Sequence, residues 1–279
     1  MTGAGGAAPS GDLRSAVQAA WDDADRLREI ITAALDRGEA AGLVAAARRL
    51  YAIDSYPEQA VGLLALVLRT NADHEGAERV LLDHLRKHGG DAETWFHLAP
   101  LAAWRGDVGD MDKALDNALY HDPNHAQALD WGFRQRQRTD GPEAAIHWLW
   151  RHSSESWRAH VMLGRQALEW GETARGIEYF RAATELAPHA PGPLAEGARA
   201  LFDNGLDAEV PAFVLGRWRG THGPTPMMYV VEAGLRSGNA AEAAMAVGRL
   251  RGLDIPPAHR EAVADLERRV QIACQEAGL

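Results

Sequence analysis

The side chains able to do chemistry are plentiful in this chain, but they are poorly assembled for it. Twelve histidines invite a metal reading, and His84 with His88 have the four-residue spacing that puts two imidazoles on one helical face. No third ligand stands nearby, so a surface pair near a helix end is the simpler reading. His121 and His125 are also four apart, but Pro123 between them argues for a turn. Asp107, Asp110, Asp112 and Asp116 lack the mid-loop glycine and terminal glutamate of a calcium loop. They read as acids at a helix start, where carboxylates accept from free backbone donors. The chain has no nucleotide-binding Gly-x-x-x-x-Gly-Lys loop, Gly-x-Ser-x-Gly elbow, His-Glu-x-x-His pair or Cys-x-x-Cys pair. No catalytic residue, cofactor site or metal site is therefore assigned.

The elements that carry these residues repeat. Small or polar residues break otherwise helical stretches at Gly38, Ala72, Gly106, Asp140, Gly171, Gly205 and Gly238, with spacings of 34, 34, 34, 31, 34 and 33. Eight residues before each marker stand Ile30, Leu64, Leu98, Gly132, Leu163, Gly197 and Val230; nine after it stand Ala47, Leu81, Leu115, Leu149, Phe180, Val214 and Val247. Each unit thus reads as a helix, a short break and a second helix, with small residues letting two axes approach and Leu or Phe filling the groove. Pro123 and Pro188, each seventeen residues after a marker, should stop the second helix.

Trp95 through Leu98, Ala99, Ala102, Gly106, Leu115, Ala118 and Pro123 form one motif, and Leu163, Gly164, Ala167, Gly171, Phe180, Ala183 and Pro188 form another. In both, the chain resembles the tetratricopeptide repeat family. The pattern is degenerate elsewhere: Arg136 stands where it wants a small or aromatic residue, His84 and His152 stand where it wants Ala, and Pro211 falls early in a second helix. The resemblance implies an all-α, right-handed superhelical solenoid of about seven helix-turn-helix units. On this reading residues 1–11 are a flexible N-terminus, 12–256 the solenoid and 257–279 a capping helix, in which Val263, Leu266, Val270 and Ala273 recur at three or four residues.

Six residues before the marker, three consecutive units carry Arg134, Arg165 and Arg199. The resemblance implies that first helices line a concave groove, where this ladder, with Arg138 and Arg158 beside it, would hold a partner segment that is acidic or a free C-terminal tail. Phe96, Trp131, Val161, Met228 and Tyr229 are the neighbouring groove candidates. The competing reading makes the arginines ordinary surface charge, because Asp130, Glu169 and Glu196 stand three or four residues from them. Trp104 and Trp170 are further candidates for exposed aromatic surface, and Trp148 and Trp150, two apart, should point to different sides of their helix.

Composition limits the partners. In 279 residues, 29 Lys and Arg against 39 Asp and Glu leave a net charge of −10, which opposes binding to nucleic acid or to an anionic membrane. No run of about 20 apolar residues occurs. A single cysteine, Cys274, allows no internal disulfide, and the expected setting is the cytoplasm of a bacterium. The functional expectation is a non-catalytic adaptor or assembly scaffold that binds another protein. The alternatives are an enzyme or accessory subunit holding a small acidic substrate, and an oligomeric regulator that dimerises through its end helices.

Overall fold

The computed structural model describes residues 11–279 and is helical throughout. Of the stretch 1–11 read as a flexible N-terminus, all but Gly11 lies outside the described residues, and Gly11 opens the first helix. The chain divides into two compact units, one ending at Gly132 and the other starting at Phe133.

The first unit holds α1 (Gly11–Ala19), α2 (Ala24–Asp36), α3 (Val44–Ile53), α4 (Pro57–Thr70), α5 (His74–His88), α6 (Ala92–Arg105) and α7 (Val108–His121). Within it α2 packs on α3, α4 on α5 and α6 on α7 as successive hairpins, while the leading helices α2, α4 and α6 lie side by side. The chain then enters α8 (Ala126–Thr139), which carries it past Gly132.

The second unit continues with α9 (Pro142–Arg151), α10 (Trp157–Glu169), α11 (Thr173–Leu186), α12 (Pro191–Asp203), α13 (Glu209–Val214), a 3-10 turn at Gly220–His222, α14 (Thr225–Arg236), α15 (Ala240–Leu250) and α16 (Pro257–Ala277). Here α10 packs on α11, α12 on α13 and α14 on α15, and the leading helices again form a row, α10 beside α12, α12 beside α14, α14 beside α16. Pro211 is associated with the shortest second helix, the six residues of α13. The last helix turns Val263, Leu266 and Val270 into the core of this unit, with Ala273 half-buried.

The markers end the leading helices by one shared device. Gly38, Ala72, Gly106, Gly171, Gly205 and Gly238 all have positive φ, between 59° and 78°. The residue after each marker donates its N–H five residues back, as in Glu39 to Ala34, Asp73 to Leu68, Asp107 to Ala102, Glu172 to Ala167, Leu206 to Leu201 and Asn239 to Gly234. That bond closes a Schellman end and reverses the chain into the second helix. Asp140 departs from the pattern: the positive φ, 94°, passes to Gly141, while both residues donate to the Arg136 carbonyl. Three of the second helices, α5, α7 and α15, then start on side-chain caps, Asp73 accepting from the Gly76 N–H, Asp107 from Asp110 and Asn239 from Glu242.

Small residues decide how closely the helices pack. A Cβ built on Gly164 would lie 2.4 Å from the Phe180 ring, and one on Gly197 would lie 2.7 Å from Phe213. Phe180 and Phe213 are fully enclosed and meet edge to face with centroids 6.2 Å apart. The degenerate positions are filled by polar side chains packed against aromatic rings. The Arg136 guanidinium sits 4.6 Å over the buried Trp148 ring, and His152 meets that ring edge-on. His84 is buried and bonds through Nδ1 to the Tyr51 hydroxyl at 3.1 Å. Trp150, by contrast, is 58% exposed, so the Trp148/Trp150 pair does face two ways.

Candidate functional site

The row of leading helices in the second unit carries a chain of ion pairs. Arg165 on α10 reaches across to Glu196 on α12. Arg199, one turn further along α12, pairs with Asp203 at 3.4 Å. Glu232 on α14 receives both arms of Arg269 from α16, each at 2.7 Å, in the fork geometry that favours arginine over lysine. Tyr229 lies among these charges: burial pushes its phenol up from the ordinary value, and Arg199, Asp203 and Glu196 all act on it. Phe202 packs against Tyr229 with ring centroids 5.6 Å apart.

The counter-ions differ from the local pairs expected for Arg165 and Arg199. Glu169 turns to Gln166 instead, and Glu196 is taken by Arg165 rather than by Arg199. The reason is geometric: side chains on adjacent leading helices, about one repeat apart in sequence, compete on equal terms with those one helical turn away.

The predicted site residues separate into three groups. Arg134, Arg138 and Arg199 are exposed, and Arg165 and Arg158 are half-buried, Arg158 lying 4.7 Å over the Trp157 ring. Met228 and Tyr229 are half-buried against the core of the second unit. Phe96 and Val161 are interior, at 9% and 2% exposure, so neither offers groove surface. Phe96 and the half-buried Trp131 belong to the first unit and the remaining residues to the second. The structure therefore brings together Arg165, Arg199 and Tyr229 with Glu196 and Asp203. The two further aromatic candidates are on the surface: Trp104 stacks on His74 at 4.0 Å, and Trp170 is half exposed.

In the first unit, Glu93 on α6 is held by two imidazoles, His125 Nε2 at 2.9 Å and His97 Nε2 at 3.2 Å. His125 Nδ1 accepts from the Ala128 N–H at the start of α8, so the ring hydrogen stays on Nε2 and is donated to the carboxylate. These bonds hold the Glu93 carboxyl down at about 2. The cluster fastens the start of α8 to α6. Sequence spacing hid it because Glu93 and His125 stand 32 residues apart.

Among the described residues no helix is long and apolar enough to cross a membrane. No family model matches the chain, and no curated protein matches it.

Solved tetratricopeptide repeat structures are similar to this chain. One, from Parabacteroides merdae, is 14% identical and covers 89% of this chain and 98% of its own, with a TM-score of 0.36. The pilF protein of Pseudomonas aeruginosa is 19% identical over 70% of this chain and 90% of its own, with a TM-score of 0.35. Yeast Tom70 is 12% identical over 95% of this chain and 58% of its own, with a TM-score of 0.43. The architecture rests on the hairpins themselves and not on these superpositions.

Proposed function

We propose that the chain is a non-catalytic interaction module, and that a segment of another protein docks on the leading-helix row of the second unit. The observation that carries this reading is the set of partly exposed ion pairs Arg165–Glu196 and Arg199–Asp203 flanking Tyr229. Exposed pairs of this kind contribute little to stability, about 0 to 1 kcal/mol each. Their value lies in exchange: an incoming carboxylate displaces Asp203 or Glu196 and keeps each arginine compensated throughout. The Arg199–Asp203 pair is the more exposed and the longer, so it opens first.

An acidic segment or a free C-terminal carboxylate fits this exchange, with Tyr229 and Phe202 as the aromatic anchor beside it. The test is a quantitative pull-down from the native host comparing the wild type with a variant carrying Arg134→Glu, Arg165→Glu and Arg199→Glu. The proposal expects specific partners to be lost from the variant while its helical content is unchanged. Retention of every partner refutes the leading-helix site.

A further inference from the structure

A cavity in the second unit lies away from the ion-pair row. It measures about 300 Å³ and is walled by the end of α11, the loop into α12 and the irregular stretch between α13 and α14. That volume is at the lower end of the range of small-molecule sites. Pro188 and Ala190 supply apolar lining, and Arg217 and Arg219 line the cavity as well, with Glu185 as the one acid.

The two parts of the lining are tied together. His222 accepts from the Arg219 N–H through Nδ1, and its Nε2 lies 2.9 Å from the Pro188 carbonyl, to which it donates. Both ring nitrogens are thereby occupied, so His222 shapes the cavity and leaves recognition to the arginines. Arg217 spends one N–H on the Phe213 carbonyl at 2.9 Å and lies over that ring. Among the described residues Arg219 donates to nearby carbonyls, those of Gly216 and Trp218. Among the described residues neither arginine forms an ion pair within 4.0 Å, unlike Arg165, Arg199 and Arg269. Burial and the like charge of Arg181 both bear on Arg217, with Glu185 opposing them.

We infer that this cavity binds a small organic carboxylate, its charged end on Arg217 and Arg219 and its apolar body against Pro188 and Ala190. The lining guanidiniums of Arg217 and Arg219 outnumber the one lining carboxylate, Glu185, and Arg181 adds positive charge near Arg217, so the cavity favours an anion. Inorganic phosphate has no hydrocarbon body for the apolar lining, and it would meet Glu185 and the carbonyl end of α11.

The experiment titrates the full chain near neutral pH with hexanoate, hexanol and inorganic phosphate, reading amide shifts of Gly216 and Gly220 and the Trp218 indole. The indole donates to the Gly223 carbonyl at 3.0 Å, beside the cavity. Hexanoate should saturate, with hexanol and phosphate weaker by roughly tenfold or more, the scale of one charge-assisted contact. Arg217→Met should weaken hexanoate by a similar factor. Arg219→Gln, at an exposed site whose loss leaves the core intact, should do the same if the first variant fails to fold. No saturable shift with hexanoate overturns the assignment, as does equal binding of hexanol or of phosphate, or unchanged binding in a folded Arg219→Gln variant.

Discussion

His222 and Pro188 are joined by a 2.9 Å hydrogen bond across 34 residues, the same interval that separates most of the helix-ending markers. The period recurs in other side-chain bonds of the second unit: Arg236 to the Phe202 carbonyl at 2.6 Å, Arg249 to Leu215 and Cys274 to Ala240 are each 34 residues apart. One repeat is thus stitched to the next at equivalent places, in addition to the apolar contact between neighbouring hairpins.

Replacing His222 by Ala removes both bonds of a buried ring and leaves the Arg219 N–H and Pro188 carbonyl without that partner. The expected loss is about 1–3 kcal/mol in urea denaturation. An unchanged midpoint and slope would show that the stitch carries no stability.

Ala72 holds a φ of 59° at a marker where the other left-handed residues are glycines. A Cβ in that region is strained, whereas glycine loses more entropy on folding, and the strain outweighs the entropy. Ala72→Gly should therefore stabilise the first unit by roughly 0.5–1 kcal/mol. Gly106→Ala, at φ 78°, should destabilise by a similar amount, and thermal unfolding of the pair reads both signs.

Gly164 packs directly under Phe180. Gly164→Ala should cost about 1–3 kcal/mol through overpacking. Adding Phe180→Leu in the same chain should return part of that loss, because the ring is what the new methyl meets. A double-mutant cycle with no coupling would contradict this packing.

Acid stability should depend on Glu93. Its folded carboxyl is held at about 2 against an ordinary 4.5, so the unfolded chain binds the proton more readily between those values. The stabilisation is full above about 4.5 and is lost as the pH falls towards about 2. Partial solvent exposure of the side chain reduces its size. Glu93→Gln should flatten stability against pH in this window; a slope equal to that of the wild type would place the dependence on other carboxylates.

The repeat is legible in the sequence because its cause is local. Gly38, Gly106, Gly171, Gly205 and Gly238 mark places where only a few residue types tolerate the backbone. The marker at Asp140 is displaced by one residue because an acid and a glycine stand side by side there, and Gly141 takes the left-handed angle. Partners on different helices are not legible. Spacing along the chain gives Glu196 to Arg199, whereas it belongs to Arg165. It also puts Phe96 and Val161 in a groove, whereas they lie in the core, since a shift of one residue turns a helical side chain by about 100°. The cavity at Arg217 and Arg219 leaves one trace in the sequence, the irregular stretch that follows when Pro211 falls in the second helix.

Photocrosslinking in the native host reads whether a partner segment sits on the leading-helix row of the second unit. A photoreactive residue replaces Arg199 in one variant and Glu178, exposed on the second helix α11, in another. Docking on the row predicts a discrete adduct from position 199 and none from position 178. An adduct from 178 alone, or the same adducts from both positions, would contradict it.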